Sequence, residues 1–407
     1  MTAVRAPIVI DQYYCPHQTN CPNKAVLVVV ALCCMSRLVA GVTSVYNVVD
    51  FGAVGDGKSD DSKAFLEAWG KTCADAAYST LLIPSGKTFL LTTLMFQGPC
   101  KSNVHVQVSG NLVTPNTPWN AELNHWITFY NVNGLTVDGY GLIDGRGPIW
   151  WPCKLKNSMV FIQCNNLKVK EIKLKDSPGK HLSIDASIGV EINGVTITSP
   201  GDSPNTDGIY VADSQHVLIT GCTIASGDDC IAIGSGCVDV NVTQITCGPG
   251  HGISIGSLGM DGSTSLVDLV QVSVCNLFNT TNGVRIKTWQ GGSGHAKSIL
   301  FEHVNMTAVQ APIVIDQYYC PNQNNCPKKS SAVQLSDVKY IDIHGTSTGE
   351  VPLISLACSD VAPCTGLIMS NIHLVTPSNP NPPKPYCSNA NGRSIGSVIP
   401  NVPCLPL

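Results

Sequence analysis

A short unit returns through most of the 407-residue chain and restricts its fold more than any other feature. It appears as "NLKVKEIKLKDSP" from Asn166, "GVEINGVTITSP" from Gly189, "HVLITGCTIASG" from His216 and "DVNVTQITCG" from Asp239. Further units begin at Leu266, Ser298, Val338 and Gly366. Each joins two short β-branched runs that alternate apolar with polar, closed by Gly, Ser, Pro or Asn. The spacing is irregular, roughly 20 to 40 residues, inside the range of repeat architectures. One unit cannot bury its own apolar face, whereas stacked coils can, so the expected fold is all-β, a parallel β-helix. A β-sandwich would bring turn signals about every 8–12 residues around hairpins. Asn193, Asn282, Asp138 and Asp207 each precede a glycine, yet they do not mark a regular series of hairpins. Only 13% of residues are charged and 37 are glycine, which suits short strands and turns better than long charged helices.

One stretch reads as a helix, "SDDSKAFLEAWGKTCADAA" from Ser59. Ala64, Phe65, Ala68 and Trp69 recur at helical spacing, and Ser59 or Asp60 is placed to cap the start. This short N-terminal helix is expected to cover the open end of the solenoid, whose strand edges are otherwise exposed. No linker interrupts residues 45–407, which are read as one domain.

The beginning of the chain is unusual. Residues 1–24 repeat residues 306–329 at 20 of 24 positions and differ at Arg5, His17, Thr19 and Asn23. Lys24 then precedes the apolar run "AVLVVVALCC", and "AGVTS" supplies small residues, so 25–44 reads as a secretory signal peptide cleaved near Gly41 to Ser44. The run is too short to span a bilayer, and no membrane association is expected after cleavage. The first copy precedes the signal and has no coil to stack on. It is expected to be a remnant of a tandem fusion or a mis-joined gene, absent from the mature protein. Nineteen cysteines agree with an oxidising compartment. Asn241, Asn279 and Asn305 open Asn-X-Thr acceptors for glycosylation. The net charge of −4 gives no general attraction to nucleic acid, and any acidic substrate must be held by a local basic cluster. A secreted monomer is expected.

Chemistry-bearing residues gather in one window. "SPNTDGI" carries Asn205 and Asp207, and "SGDDC" carries Asp228 and Asp229. "CGPGHGISIGSLG" carries His251, and "NGVRIK" carries Arg285 and Lys287. Separations of about one coil stack residues on one face of a solenoid, and Asp207 to Asp228 is 21 positions while Asp229 to His251 is 22. Singly, each feature has a plain explanation: a solvated Asp turn, a structural histidine, a surface Arg and Lys. Neighbours on a regular strand point to opposite faces, so both Asp228 and Asp229 reach one site only if the chain turns there, as Gly227 permits. Glycines 248, 250 and 252 read as a tight loop that something approaches closely. Arg285 and Lys287 at i and i+2 share a face and repel unless an anion joins them. Clustered carboxylates raise one another's pKa, which lets one serve as acid and another as base.

These motifs, in this order and spacing, resemble those of the plant polygalacturonases of glycoside hydrolase family 28, and are most similar to the pollen-type members. The resemblance runs from "VYNVVDFGAVGDGKSDDSKAF" to the C-terminus. It implies a right-handed parallel β-helix, secreted to the cell wall, that hydrolyses α-1,4-linked galacturonate in pectin with inversion and acts as an exo-enzyme. By resemblance, Asp228 protonates the glycosidic oxygen, Asp207 and Asp229 activate water, and His251 supports the protonation of the acid. Arg285 and Lys287 bind a galacturonate carboxylate, Asn205 positions substrate, and Tyr318 or Tyr319 lies near the sugar with Cys320 and Cys326 joined beside it. The resemblance also pairs Cys230 with Cys247, Cys73 with Cys100, Cys358 with Cys364 and Cys387 with Cys404. It assigns no partner to Cys153, Cys164, Cys222, Cys237 or Cys275. Neither metal nor cofactor is implied. The acid cluster is of a type that holds Ca²⁺, but the adjacent Arg and Lys oppose it. Two other classes compete: a Ca²⁺-dependent lyase on the same fold, and a non-catalytic wall-binding protein, which would not need all three carboxylates.

Overall fold

The computed structural model describes residues 44–117, 125–152, 157–321 and 328–407. The first copy of the duplicated segment, the apolar leader, Cys153 and Cys326 lie outside them. Residues 41–407 form one compact unit. Among the described residues the strands form two long sheets of 21 and 11 strands. Their ladders are parallel, and the chain is a right-handed parallel β-helix.

The alternating pattern explains the interior. Ile127, Met159, Leu182, Ile209, Ile231, Ile253, Val284, Ile313 and Ile354 stand in register on successive strands of the smaller sheet. Each is at most 2% exposed. Fully burying one such side chain stabilises by roughly 1.5–3 kcal/mol, so the row binds coil to coil continuously.

The corners explain the closing residues of the repeat. Asn166, Gly189, His216, Asp239, Leu269, Ser298, Asp337 and Gly366 each lie one residue before the same register of the larger sheet. All have φ between 51° and 73°, the left-handed region. Asn, Asp and Gly enter it at low cost, whereas Leu269 does so at about 1–2 kcal/mol. One corner per coil thus recurs even though the coils differ in length.

The helix spans Ser62–Ala74 and starts three residues later than the sequence reading. Asp61 holds the cap position, but its carboxylate turns to the N–H groups of Val54 and Gly55 at 2.6 and 3.2 Å. Asp60 takes over part of the capping by accepting from the Ser62 N–H at 3.0 Å. Ala64, Phe65, Ala68 and Trp69 face inward as expected. Trp69 meets the rings of Phe96 and Phe129 at 5.0 and 5.8 Å, and Phe129 stacks on Phe161 at 5.1 Å. The helix therefore seals the aromatic floor of the first coils.

Candidate active site

The register of the smaller sheet places the site. Two residues before the stacked Leu182, Ile209, Ile231, Ile253 and Val284 stand Lys180, Asp207, Asp229, His251 and Asn282. One column therefore carries a cation, two carboxylates and an imidazole on neighbouring coils, spaced about 4.8 Å apart. Asp228 joins them from a bend at Gly227 and Asp228. A Cβ on Gly227 would overlap the backbone of Ser203, so the bend needs glycine for closeness. The sequence reading expected a turn there, and the chain makes one.

Asp229 is 1% exposed and fully engaged. Its Oδ1 accepts from Ser254 Oγ and Arg285 Nη2, each at 2.7 Å, and its Oδ2 accepts from Lys287 Nζ at 2.7 Å. Arg285 Nε also donates to Ser254 Oγ at 3.0 Å. Arg285 and Lys287 do share a face, and the anion that joins them is Asp229.

Asp228 differs. Its Oδ1 pairs with His251 Nδ1 at 3.0 Å, and about a quarter of its side chain meets solvent. Burial pushes its pKa up, but the hydrogen bond and charge of His251, with Lys287, outweigh burial and hold it below the usual carboxylate range.

Asp207 is 7% exposed, and its carboxylate has no ion pair among the described residues. Burial first, then repulsion from Asp228 and Asp229, pushes its pKa up to about 7. Its backbone carbonyl is fixed by His181, whose ring Nδ1 lies 3.1 Å away. The other ring nitrogen, Nε2, lies 2.8 Å from Ser199 Oγ. Burial drives the His181 pKa down to about 4, so it is a neutral brace.

The remaining expected residues divide. Asn205 is exposed at φ 50° on the rim, next to the buried Thr206 and Asp207. Tyr319 belongs to the site: Lys287 Nζ sits 5.5 Å from its ring centroid, and Trp289 meets it edge-on at 5.6 Å. Tyr318 turns away, and its hydroxyl accepts from the Asp360 N–H at 3.1 Å. The glycine loop is approached by the chain itself. Gly252 has φ +81°, and a Cβ there would overlap the carbonyls of Asn282 and Gly283.

The disulfides Cys73–Cys100, Cys230–Cys247, Cys358–Cys364 and Cys387–Cys404 are formed. Cys320 is also disulfide-bonded. Cys164, Cys222, Cys237 and Cys275 are buried free thiols whose pKa burial raises. Asn279 and Asn305 are exposed, whereas Asn241 is half-buried and donates to Asp239 at 3.0 Å.

Asp228, Asp229 and His251 offer ligand atoms within 4.8 Å of one another. Two cations and a hydroxyl already occupy Asp229, so a further positive ion there meets repulsion.

Sequence reasoning missed Lys180, His181, Tyr210 and Ser254. Lys180 stands in "KLKDSPGKH", 27 residues before Asp207, among other lysines from which nothing local sets it apart. Its Nζ lies 3.1 Å from the Tyr210 ring centroid.

Carboxylates of unequal pKa beside fixed cations, on an open face of a β-helix, are the equipment of a glycoside hydrolase. Residues 73–398 match the model of Glycosyl hydrolases family 28. The Polygalacturonase QRT2 of Arabidopsis thaliana is 43% identical over 368 residues, covering 87% of this chain and 83% of that protein. A polygalacturonase of Persea americana is 45% identical over 343 residues, covering 81% and 73%. Among solved structures, the endo-xylogalacturonan hydrolase from Aspergillus tubingensis matches with TM-score 0.75 at 24% identity, covering 87% of this chain and 99% of that one. The polygalacturonase from Erwinia carotovora ssp. carotovora matches with TM-score 0.71 at 22% identity, covering 86% and 97%. The structures at these identities speak to the fold alone. The chain belongs to family 28 of the glycosyl hydrolases and is a homologue of plant polygalacturonases. The match is to the family and does not single out its pollen-type members.

Proposed function

We propose that the protein is a polygalacturonase that hydrolyses α-1,4-galacturonosyl bonds of pectin with inversion. The observation that carries this reading is the gathering of three carboxylates in three different environments with fixed cations on neighbouring coils. Its support outside the chain is the identity to the plant polygalacturonases.

Asp228 is the proposed acid because it is the most accessible of the three carboxyls, and an acid must touch the glycosidic oxygen. Asp207 and Asp228 compete for one proton, since two like charges on adjacent coils cannot both ionise cheaply. Burial and repulsion raise the Asp207 pKa while His251 lowers that of Asp228, so the resting site favours the proton on the Asp207 side. Moving the proton to Asp228 produces the active pair. Asp228 then protonates the leaving oxygen, and water attacks the anomeric carbon from the opposite face. Asp207, now a carboxylate, takes the water's proton with Asp229 beside it. His251 holds Asp228 in place and exchanges the proton with it.

Arg285 has five N–H donors and directs only some of them to Asp229 and Ser254. Its remaining donors, with those of Lys287, meet a galacturonate carboxylate, and Tyr319 supports the sugar. Asn205 on the rim helps to position the chain. We further propose exo attack from the non-reducing end, on the pollen-type pattern of the motifs, in a monomer secreted to the cell wall. No helix among the described residues is long and apolar enough to cross a membrane.

The test is chromatography of early products from polygalacturonate. Monomer alone supports exo attack, and a ladder of oligomers replaces it with endo attack. Unsaturated products that absorb in the ultraviolet and require Ca²⁺ overturn hydrolysis altogether.

A further inference from the structure

We propose that Lys180 is a specificity-determining residue that grips the carboxylate of the galacturonate lying on the far side of the acid cluster from Arg285 and Lys287. The proposal rests on the polygalacturonase reading above and adds a second uronate contact to it.

Four observations converge. The first is position. Lys180 stands in the same column as Asp207, Asp229 and His251, one coil before Asp207. A chain of sugars laid across these coils passes it.

The second is the state of the side chain. Lys180 is half-buried, and its ammonium packs on the face of Tyr210 at 3.1 Å from the centroid. Among the described residues that ammonium takes no hydrogen bond and no ion pair. An ammonium has three donors, and a cation–π contact uses none of them. It is held in place by an aromatic face while its donors stay available.

The third is contrast. Arg285 and Lys287 both spend charge on Asp229 at 2.7 Å. Lys180 is the cation of the site that is not tied to a carboxylate by contact.

The fourth is the shape beyond it. Lys180 lines an open depression with Asn157, Ser183, Asp185, Tyr210 and Asp213. Asn157 is a neutral hydrogen-bonding side chain suited to a sugar hydroxyl, and Tyr210 lies with its ring face beneath the lysine. Asp185 and Asp213 repel a carboxylate placed near them, so a uronate in this depression is steered toward Lys180.

A purely structural lysine here would balance the charge of Asp207 and nothing more. The two roles separate in kinetics. Lys180→Met keeps the aliphatic stem against Tyr210 and removes the charge. On short oligogalacturonates KM is expected to rise about tenfold or more while kcat changes little, the size of one lost charge-assisted contact. Lys180→Arg should restore KM to within about threefold, since a cation on the same stem still reaches the carboxylate. The penalty of Lys180→Met should shrink on highly methyl-esterified pectin, which lacks the partner charge.

The experiment is steady-state kinetics of the purified full chain and these variants on trigalacturonate and on esterified pectin, with calorimetric binding of digalacturonate as a non-kinetic arm. If Lys180→Met fails to fold, Lys180→Gln takes its place. A raised KM that arginine rescues and esterification abolishes supports the proposal. An unchanged KM, or an equal loss on both substrates, overturns it and leaves charge balance as the role of Lys180. If the wild-type chain neither cleaves nor binds oligogalacturonate, the polygalacturonase reading falls and the lysine contact falls with it.

Discussion

On the C-terminal flank of the carboxylate cluster every charge is answered. Asp229 takes one hydroxyl and two cations at 2.7 Å and is almost sealed from water. On the N-terminal flank Asp207 is equally withdrawn but meets no cation in contact, and Lys180 leans on a tyrosine ring instead of a carboxylate. One flank is a finished ion-pair knot, and the other is an unfinished one. The difference teaches that two buried carboxylates one coil apart need not share a chemistry. Two cations hold Asp229 by contact, whereas burial without such contact pushes the Asp207 pKa up. Asp228, next to Asp229 on the same coil, is exposed enough to reach substrate.

The largest effect should come from the most accessible carboxylate. Asp228→Asn is expected to lower kcat by roughly 10²–10⁴-fold, since an amide cannot deliver a proton, while binding of short oligogalacturonates stays nearly intact. Steady-state kinetics beside calorimetric binding checks this, and activity within about threefold of wild type removes Asp228 from the acid role.

Lys287→Ala breaks the finished flank. It leaves Asp229 buried with one cation fewer, so stability should fall by about 3–5 kcal/mol in addition to any loss of activity. Denaturant unfolding measures it. Lys180→Met, on the open flank, should cost far less stability. Equal losses for the two variants erase the contrast.

The unfinished flank should reveal itself through pH. The folded-state pKa of Asp207 lies near 7, above that of an exposed aspartate near 4. The folded state therefore binds the extra proton between these values. Its stability contribution is full at low pH and is lost as pH rises through about 7. Asp207→Asn buries no charge, so its melting temperature should exceed wild type at pH 8 and approach it near pH 5. A stabilisation that does not depend on pH contradicts the assignment. The same shared proton predicts that kcat/KM falls as pH rises through about 7.

The smallest effect belongs to the hydroxyl inside the knot. Ser254→Ala removes one donor to Asp229 but leaves both cations, so the expected stability loss is about 1 kcal/mol. A loss as large as that of Lys287→Ala would move the weight of the knot from charge to hydrogen bonding.

Much of this was legible in the chain. The alternating runs fixed the inward rows, and Asn, Asp and Gly at the corners matched left-handed backbone. The four motifs were found because strand starts repeat at coil spacing, which brings Asp207, Asp229 and His251 into one column. Three things were not legible. Asp229 and Arg285 are 56 positions apart, and nothing local in either segment says that one holds the other. Lys180 is a lone lysine on a coil 27 residues long, so its place in the column depends on loop length, which spacing alone does not set. Tyr318 and Tyr319 are adjacent in a turn, where strand alternation no longer decides which side chain faces the site.

The central claim is that Asp228 donates a proton on one face of the sugar while Asp207, with Asp229 fixed beside it, takes a proton from water on the other. Proton NMR of the first product released from polygalacturonate, recorded before mutarotation, tests it most directly. The account predicts that β-anomeric galacturonate appears first from the α-linked substrate. The α-anomer appearing first would mean retention through a covalent intermediate, and the division of roles among Asp207, Asp228 and Asp229 would be wrong.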